Sequence, residues 1–134
     1  TAIVNCRIFP GHEKAAIAEA LRRIAGQPNL HLAEINPEYV VSAPASPFDA
    51  TFVQAVTNAI GLAFGEMPIF ASQASGATDS MWYRALGIPS YGASGTFLKM
   101  SDDFSHGLNE RVPTGHIQAS LVYYRTLLAT LASQ

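Results

Sequence analysis

The chain has 134 residues, 49% of them hydrophobic and 13% charged, with a formal net charge of −2, so it holds ample apolar material for one or two small folded units. Nucleic acid is a poor partner for it, because phosphate binding needs clustered Lys and Arg and the longest basic run is Arg22-Arg23. No apolar stretch approaches the roughly 18 residues that span a bilayer, the first residues lack the pattern of a signal peptide, and the lone Cys6 excludes an internal disulfide or a Cys-rich zinc module. The chain opens without Met and enters directly into an alternating pattern, which suggests a piece of something longer. Its localisation stays open.

In "TAIVNCRIF" the alternation sets Ala2, Val4, Cys6 and Ile8 opposite Ile3, Asn5, Arg7 and Phe9, predicting a strand over 1–9 that Pro10-Gly11 breaks. "HEKAAIAEALRRIAGQP" then carries Ala16, Ile17, Ala20, Leu21 and Ile24 at helical spacing, with Gly26 and Pro28 as a stop. "LHLAEINPEYVVSA" is β-like with an Asn-Pro interruption, so residues 1–44 read as a β-α-β unit. "APASP" at 43–47 marks a change of unit, since two prolines among small residues deny continuity to helix and central strand alike.

Beyond it, Phe48, Phe52, Val56, Ala59, Ile60 and Ala63 predict a helix from about 48 to 64. "MPIFAS" at 67–72 reads as a buried strand. "TDSMWYRALG" reads as a two-turn helix with Thr78 or Asp79 as N-cap and Gly87 as terminator. "IPSYGAS" gives another strand, and residues 95–113 a long loop of the kind that carries function or is disordered. Thr114 is placed to cap a last helix to about 132, with Ile117, Leu121, Tyr124, Leu128 and Leu131 on its buried stripe. Helix and strand alternating through residues 45–134 predict an α/β layer with parallel strands.

In such layers ligands gather beyond the carboxyl ends of the strands, which selects the loops "SQASGATD", "GASG" and 101–113. "SGATD" offers amides at a helix start that favour an anion, or simply a capped helix. Neither Ser75 nor Ser94 stands in a G-x-S-x-G elbow, so a serine hydrolase has little support. Of the histidines, His12, His31 and His116 suit surface or half-buried positions. His106 differs: a glycine follows it, and Asn109 and Glu110 are near enough in sequence to orient an imidazole, as a metal-bound histidine requires of its surroundings. It also suits an ordinary loop histidine, and the chain contains no H-E-x-x-H, H-x-H or C-x-x-C.

Taken together, "SGATDSMWYRALGIPSYGASG", "SHGLNERVP" and the terminal amphipathic helix resemble the end of the catalytic domain in the M20 family of zinc metallopeptidases and amidohydrolases, which includes carboxypeptidases and aminoacylase-like enzymes. "VNCRIFPG" with the helix after it resembles the last β-α-β part of that family's ferredoxin-like lid, or dimerisation, domain. The resemblance spans nearly the whole chain: 1–44 as the end of the lid and 45–134 as the end of the catalytic domain. It implies an α/β fold, a parent enzyme with two Zn2+ ions that hydrolyses peptides or N-acyl amino acids, and a homo-oligomer. In that family the metals lower the pKa of the attacking water.

By the same resemblance His106 is a metal ligand, and Arg7 is the lid arginine that grips the substrate carboxylate with its forked donors. Gly76, Ala77, Thr78, Asp79 and Gly95 line the substrate pocket, while Asn109 and Glu110 support the histidine loop. From the pattern alone, Arg7 also suits a solvated strand arginine. The family's His-x-Asp pair, bridging aspartate, Glu-Glu pair and remaining acidic ligand have no counterpart here and are expected upstream of residue 1, in the rest of the same enzyme. The chain therefore carries no catalytic residue of its own and is expected to be inactive alone. The rival reading is a non-catalytic dimerisation or protein-interaction module.

Overall fold

The computed structural model describes residues 1–39, 41–74 and 76–133. Among the described residues four α-helices appear in order: α1 (Lys14–Ala25), α2 (Ala50–Phe64), α3 (Ser80–Ala85) and α4 (Ile117–Ala132). Short 3₁₀ turns lie at Pro37–Tyr39, Met100–Asp102 and Thr114–His116. Among the described residues there is no β-strand. The expected α/β class, with its ferredoxin-like β-α-β unit over 1–44 and its parallel layer over 45–134, is therefore corrected to a helical one.

Each predicted strand fails for want of a ladder, which needs a neighbouring chain about 4.8 Å away and a free N–H at alternate positions. Proline removes that donor inside three of the four: Pro37 in 30–43, where Val40 lies outside the described residues, Pro68 in 67–72 and Pro89 in 88–94. The fourth, 1–9, alternates well but finds no partner strand.

The chain divides into two units. One comprises Thr1–Pro47 and Ser72–Tyr91. In it α1 forms as the periodicity requires and ends at Gly26, whose φ of 61° is left-handed and whose N–H donates to the Arg22 carbonyl. Lys14 bonds Glu34 at 3.3 Å. Instead of a ladder, the segment around 44–47 meets 88–91 through side chains. Ser46 Oγ donates to the Ser90 carbonyl at 2.8 Å and accepts from the Ser90 N–H at 2.9 Å. Arg84 Nε donates to the Pro44 carbonyl and Tyr91 Oη to that of Pro47. α3 is closed by Gly87, with φ 81° and an N–H donating to the Arg84 carbonyl, as the sequence foretells. No described residue of this unit is fully buried, and Ile3, Ile24 and Leu86 are each more than three-quarters exposed.

The other unit comprises Phe48–Ala71 and Gly92–Gln134, with Gln134 itself outside the described residues. It owns the buried core. α2 starts on Asp49, whose carboxylate accepts the Phe52 N–H at 2.7 Å. Its Ala55, Val56, Ala59 and Ile60 are buried against Tyr123 and Leu127 of α4, with Phe52, Ala63, Phe64, Ile69, Ala93, Phe97 and Leu131 around them. Phe64 and Phe97 stack edge to face, centroids 4.7 Å apart. Each large side chain buried here contributes about 1.5–3 kcal/mol.

Two details of the last helix depart from the sequence reading. Thr114 does not cap it: Thr114–His116 form a 3₁₀ turn that runs directly into α4, and no side chain caps the helix. The buried stripe is Tyr123 and Leu127, with Leu131 beside it, whereas Ile117, Leu121, Tyr124 and Leu128 are exposed. A stripe displaced by one residue turns the helix by about 100°, and the choice falls to the side with a partner, since Tyr123 packs under Gly95 and against α2.

Candidate functional site

The residues singled out from the sequence fall in both units. Arg7, Gly76, Ala77, Thr78 and Asp79 belong to the first, and all five are exposed. Ser75, which begins the "SGATD" stretch, lies outside the described residues. Thr78 and Asp79 lead into α3 through their backbone: Met81 N–H donates to the Thr78 carbonyl and Trp82 N–H to that of Asp79, each at 3.1 Å. Asp79, one of the two predicted candidates, holds the N-cap position of α3, though its side chain makes no capping hydrogen bond.

Gly95, in the second unit, is buried and tied to α4 on both sides. Its N–H donates to Tyr124 Oη at 3.1 Å, and its carbonyl accepts from Ser120 Oγ at 2.8 Å. A Cβ added there would lie 3.0 Å from Cγ and 3.1 Å from Cε1 of the fully buried Tyr123 ring. The missing side chain thus makes room for Tyr123. The Tyr123 hydroxyl is itself buried with no hydrogen-bond partner among the described residues, and burial, then the neighbouring Tyr124, push its phenol upward.

His106 sits in the loop from Asp102 to Arg111, which is organised by its own polar groups. Asp103 Oδ1 accepts the Ser105 N–H at 3.0 Å and the Ser105 hydroxyl. Those two bonds hold the Asp103 carboxyl below the usual carboxylate range; slight desolvation opposes them, and the nearby His106 adds a smaller downward pull. Gly107 N–H donates to the Phe104 carbonyl at 2.8 Å, and Glu110 N–H to that of Gly107 at 3.4 Å.

Between these turns His106 adopts φ 61°, a left-handed conformation shared, among described residues other than glycine, only with Asn36. Its side chain is exposed. Asn109 and Glu110 are exposed too, and no side-chain hydrogen bond joins either of them to His106 among the described residues. The carboxylate that feels the imidazole is Asp103 rather than Glu110. Its signal was present in "DFS", since an Asp accepts from the backbone two residues on in a common turn.

Among the described residues no three His, Cys, Asp or Glu side chains converge as a metal site. A zinc centre takes three or four protein ligands, of which His106 would be one. A shallow apolar groove of about 180 Å³ in the second unit is lined by Thr96, Val112, Pro113, Ile117, Ser120, Leu121 and Tyr124 and shares no residue with the candidates above. No known protein family, curated protein or solved structure matches the chain.

Proposed function

We propose that the chain is one part of a zinc-dependent hydrolase of peptide or N-acyl amino acid amide bonds, to which it contributes His106 as a single metal ligand. The observation that carries this reading is the exposed imidazole of His106, held in a left-handed backbone conformation at the tip of a self-bonded loop whose sequence is "HGLNERVP". A non-glycine residue keeps such a conformation only where its surroundings impose it, and such positions cluster at functional sites. On this reading Arg7 and residues 76–79 serve substrate binding, Asn109 and Glu110 support the histidine loop, and the two Zn2+ ions need further ligands from polypeptide outside these 134 residues. The enzyme acts as a homo-oligomer. The β-α-β lid is no part of the proposal.

The test joins the chain to the upstream segment that this reading requires and measures zinc-dependent amide hydrolysis. In that protein His106→Ala is expected to cut activity by at least the roughly tenfold to hundredfold that losing a metal ligand's outer-shell partner costs. Unchanged activity overturns the ligand assignment.

The rival reading, a non-catalytic dimerisation or interaction module, is favoured by the exposed apolar residues of the first unit, including Ile3, Val4, Ile24 and Leu86. It predicts self-association that survives chelation and needs no upstream segment, read by light scattering with and without chelator.

A further inference from the structure

We infer that Arg111 is a positioning residue for His106: its guanidinium closes residues 102–111 into a fixed loop with the imidazole at its tip. One planar group ties Arg111 to two other points of this loop. Arg111 Nε donates to Asp102 Oδ1 at 3.1 Å, Nη2 donates to the same oxygen, and Cζ stands 4.2 Å from the centroid of the Phe104 ring. The ion pair joins the two ends of the loop, while the stacked ring anchors the residue whose carbonyl receives Gly107 N–H.

Gly107 fits this closure because a Cβ would come 3.0 Å from the Phe104 carbonyl oxygen, tighter than a side chain comfortably accepts. His106 is thus bracketed by Phe104 and Gly107 on one side and by the 107–110 turn on the other, and the bracket sustains its φ of 61°. A lysine at 111 would keep a charge near Asp102 but lose the fork and the flat face that stacks on Phe104. The functional weight of the closure rests on the reading of His106 above, while the closure itself is a property of the loop.

The experiment uses the 134-residue chain and NMR. Arg111→Gln is expected to speed solvent exchange of the Gly107 amide about tenfold, the size of effect that an exposed ion pair with a cation–π contact supports. It should also weaken the strong intraresidue HN–Hα NOE that a positive φ gives residue 106, with α4 amides unchanged. Arg111→Lys should show the same changes to a smaller degree.

In the unsubstituted chain about 1 M salt, where the screening length falls to about 3 Å, should shift Gly107 exchange in the same direction, a readout independent of any variant's folding. Exchange and NOE that stay put in Arg111→Gln, or, should that variant not fold, Gly107 exchange that ignores salt, overturn the inference. His106→Asn, which tolerates the left-handed region, separates the two ideas. If it leaves hydrolysis by the assembled enzyme intact while Arg111→Gln opens the loop, the clamp stands and the metal-ligand reading falls.

Discussion

At Gly95 the absence of one carbon decides how α4 seats. The Tyr123 ring occupies the space a Cβ would take, and the backbone on either side is already committed to Tyr124 and Ser120. Gly95→Ala is therefore expected to destabilise the protein by about 1–3 kcal/mol, the cost of overpacking a closed site. Urea unfolding measures this, and adding Tyr123→Leu should recover part of the loss; an unchanged midpoint in the single variant would contradict the packing role. The resemblance marked Gly95 for a substrate pocket, and no sequence pattern signals a ring lying over it from a residue 28 positions later. For His106 more was legible. The glycine after it and the turn-forming residues around it are visible in the sequence, whereas the Asp102, Phe104 and Arg111 closure depends on side-chain directions that spacing does not reveal.

Among the elements, helices were the readable part, because their apolar period and their terminators are local. α1 and α3 stop at Gly26 and Gly87, and α2 buries Val56, Ala59 and Ile60 as its period demands. Strands were not readable in this way. Alternation states what a segment would show if it had a neighbour, and a neighbour is a non-local fact; Pro37, Pro68 and Pro89 are the local warnings against one. The face of α4 is hidden from the sequence for a related reason: both of its sides are rich in apolar residues, and only the position of α2 and Gly95 selects Tyr123 and Leu127. The Asp49 cap makes a clean test at this scale. Asp49→Ala removes the acceptor for the Phe52 N–H and should cost about 1 kcal/mol, read as a lower midpoint in thermal unfolding; Asp49→Asn should retain most of it.

At the level of the whole molecule, all of the fully buried described residues belong to the unit of α2 and α4. Amide protection follows buried apolar contact. Native-state hydrogen exchange should thus find central α2 and α4 amides protected about tenfold or more beyond those of α1 and α3; equal protection in α1 and α4 would show that burial does not set stability in this chain.

The two units also interleave, each built from one early and one later stretch: 1–47 with 72–91, and 48–71 with 92–134. No single cut of the polypeptide leaves both of them whole. A recombination event or a protease that severs the chain after residue 71 divides the two at once, so these residues can be inherited, moved or trimmed safely only together.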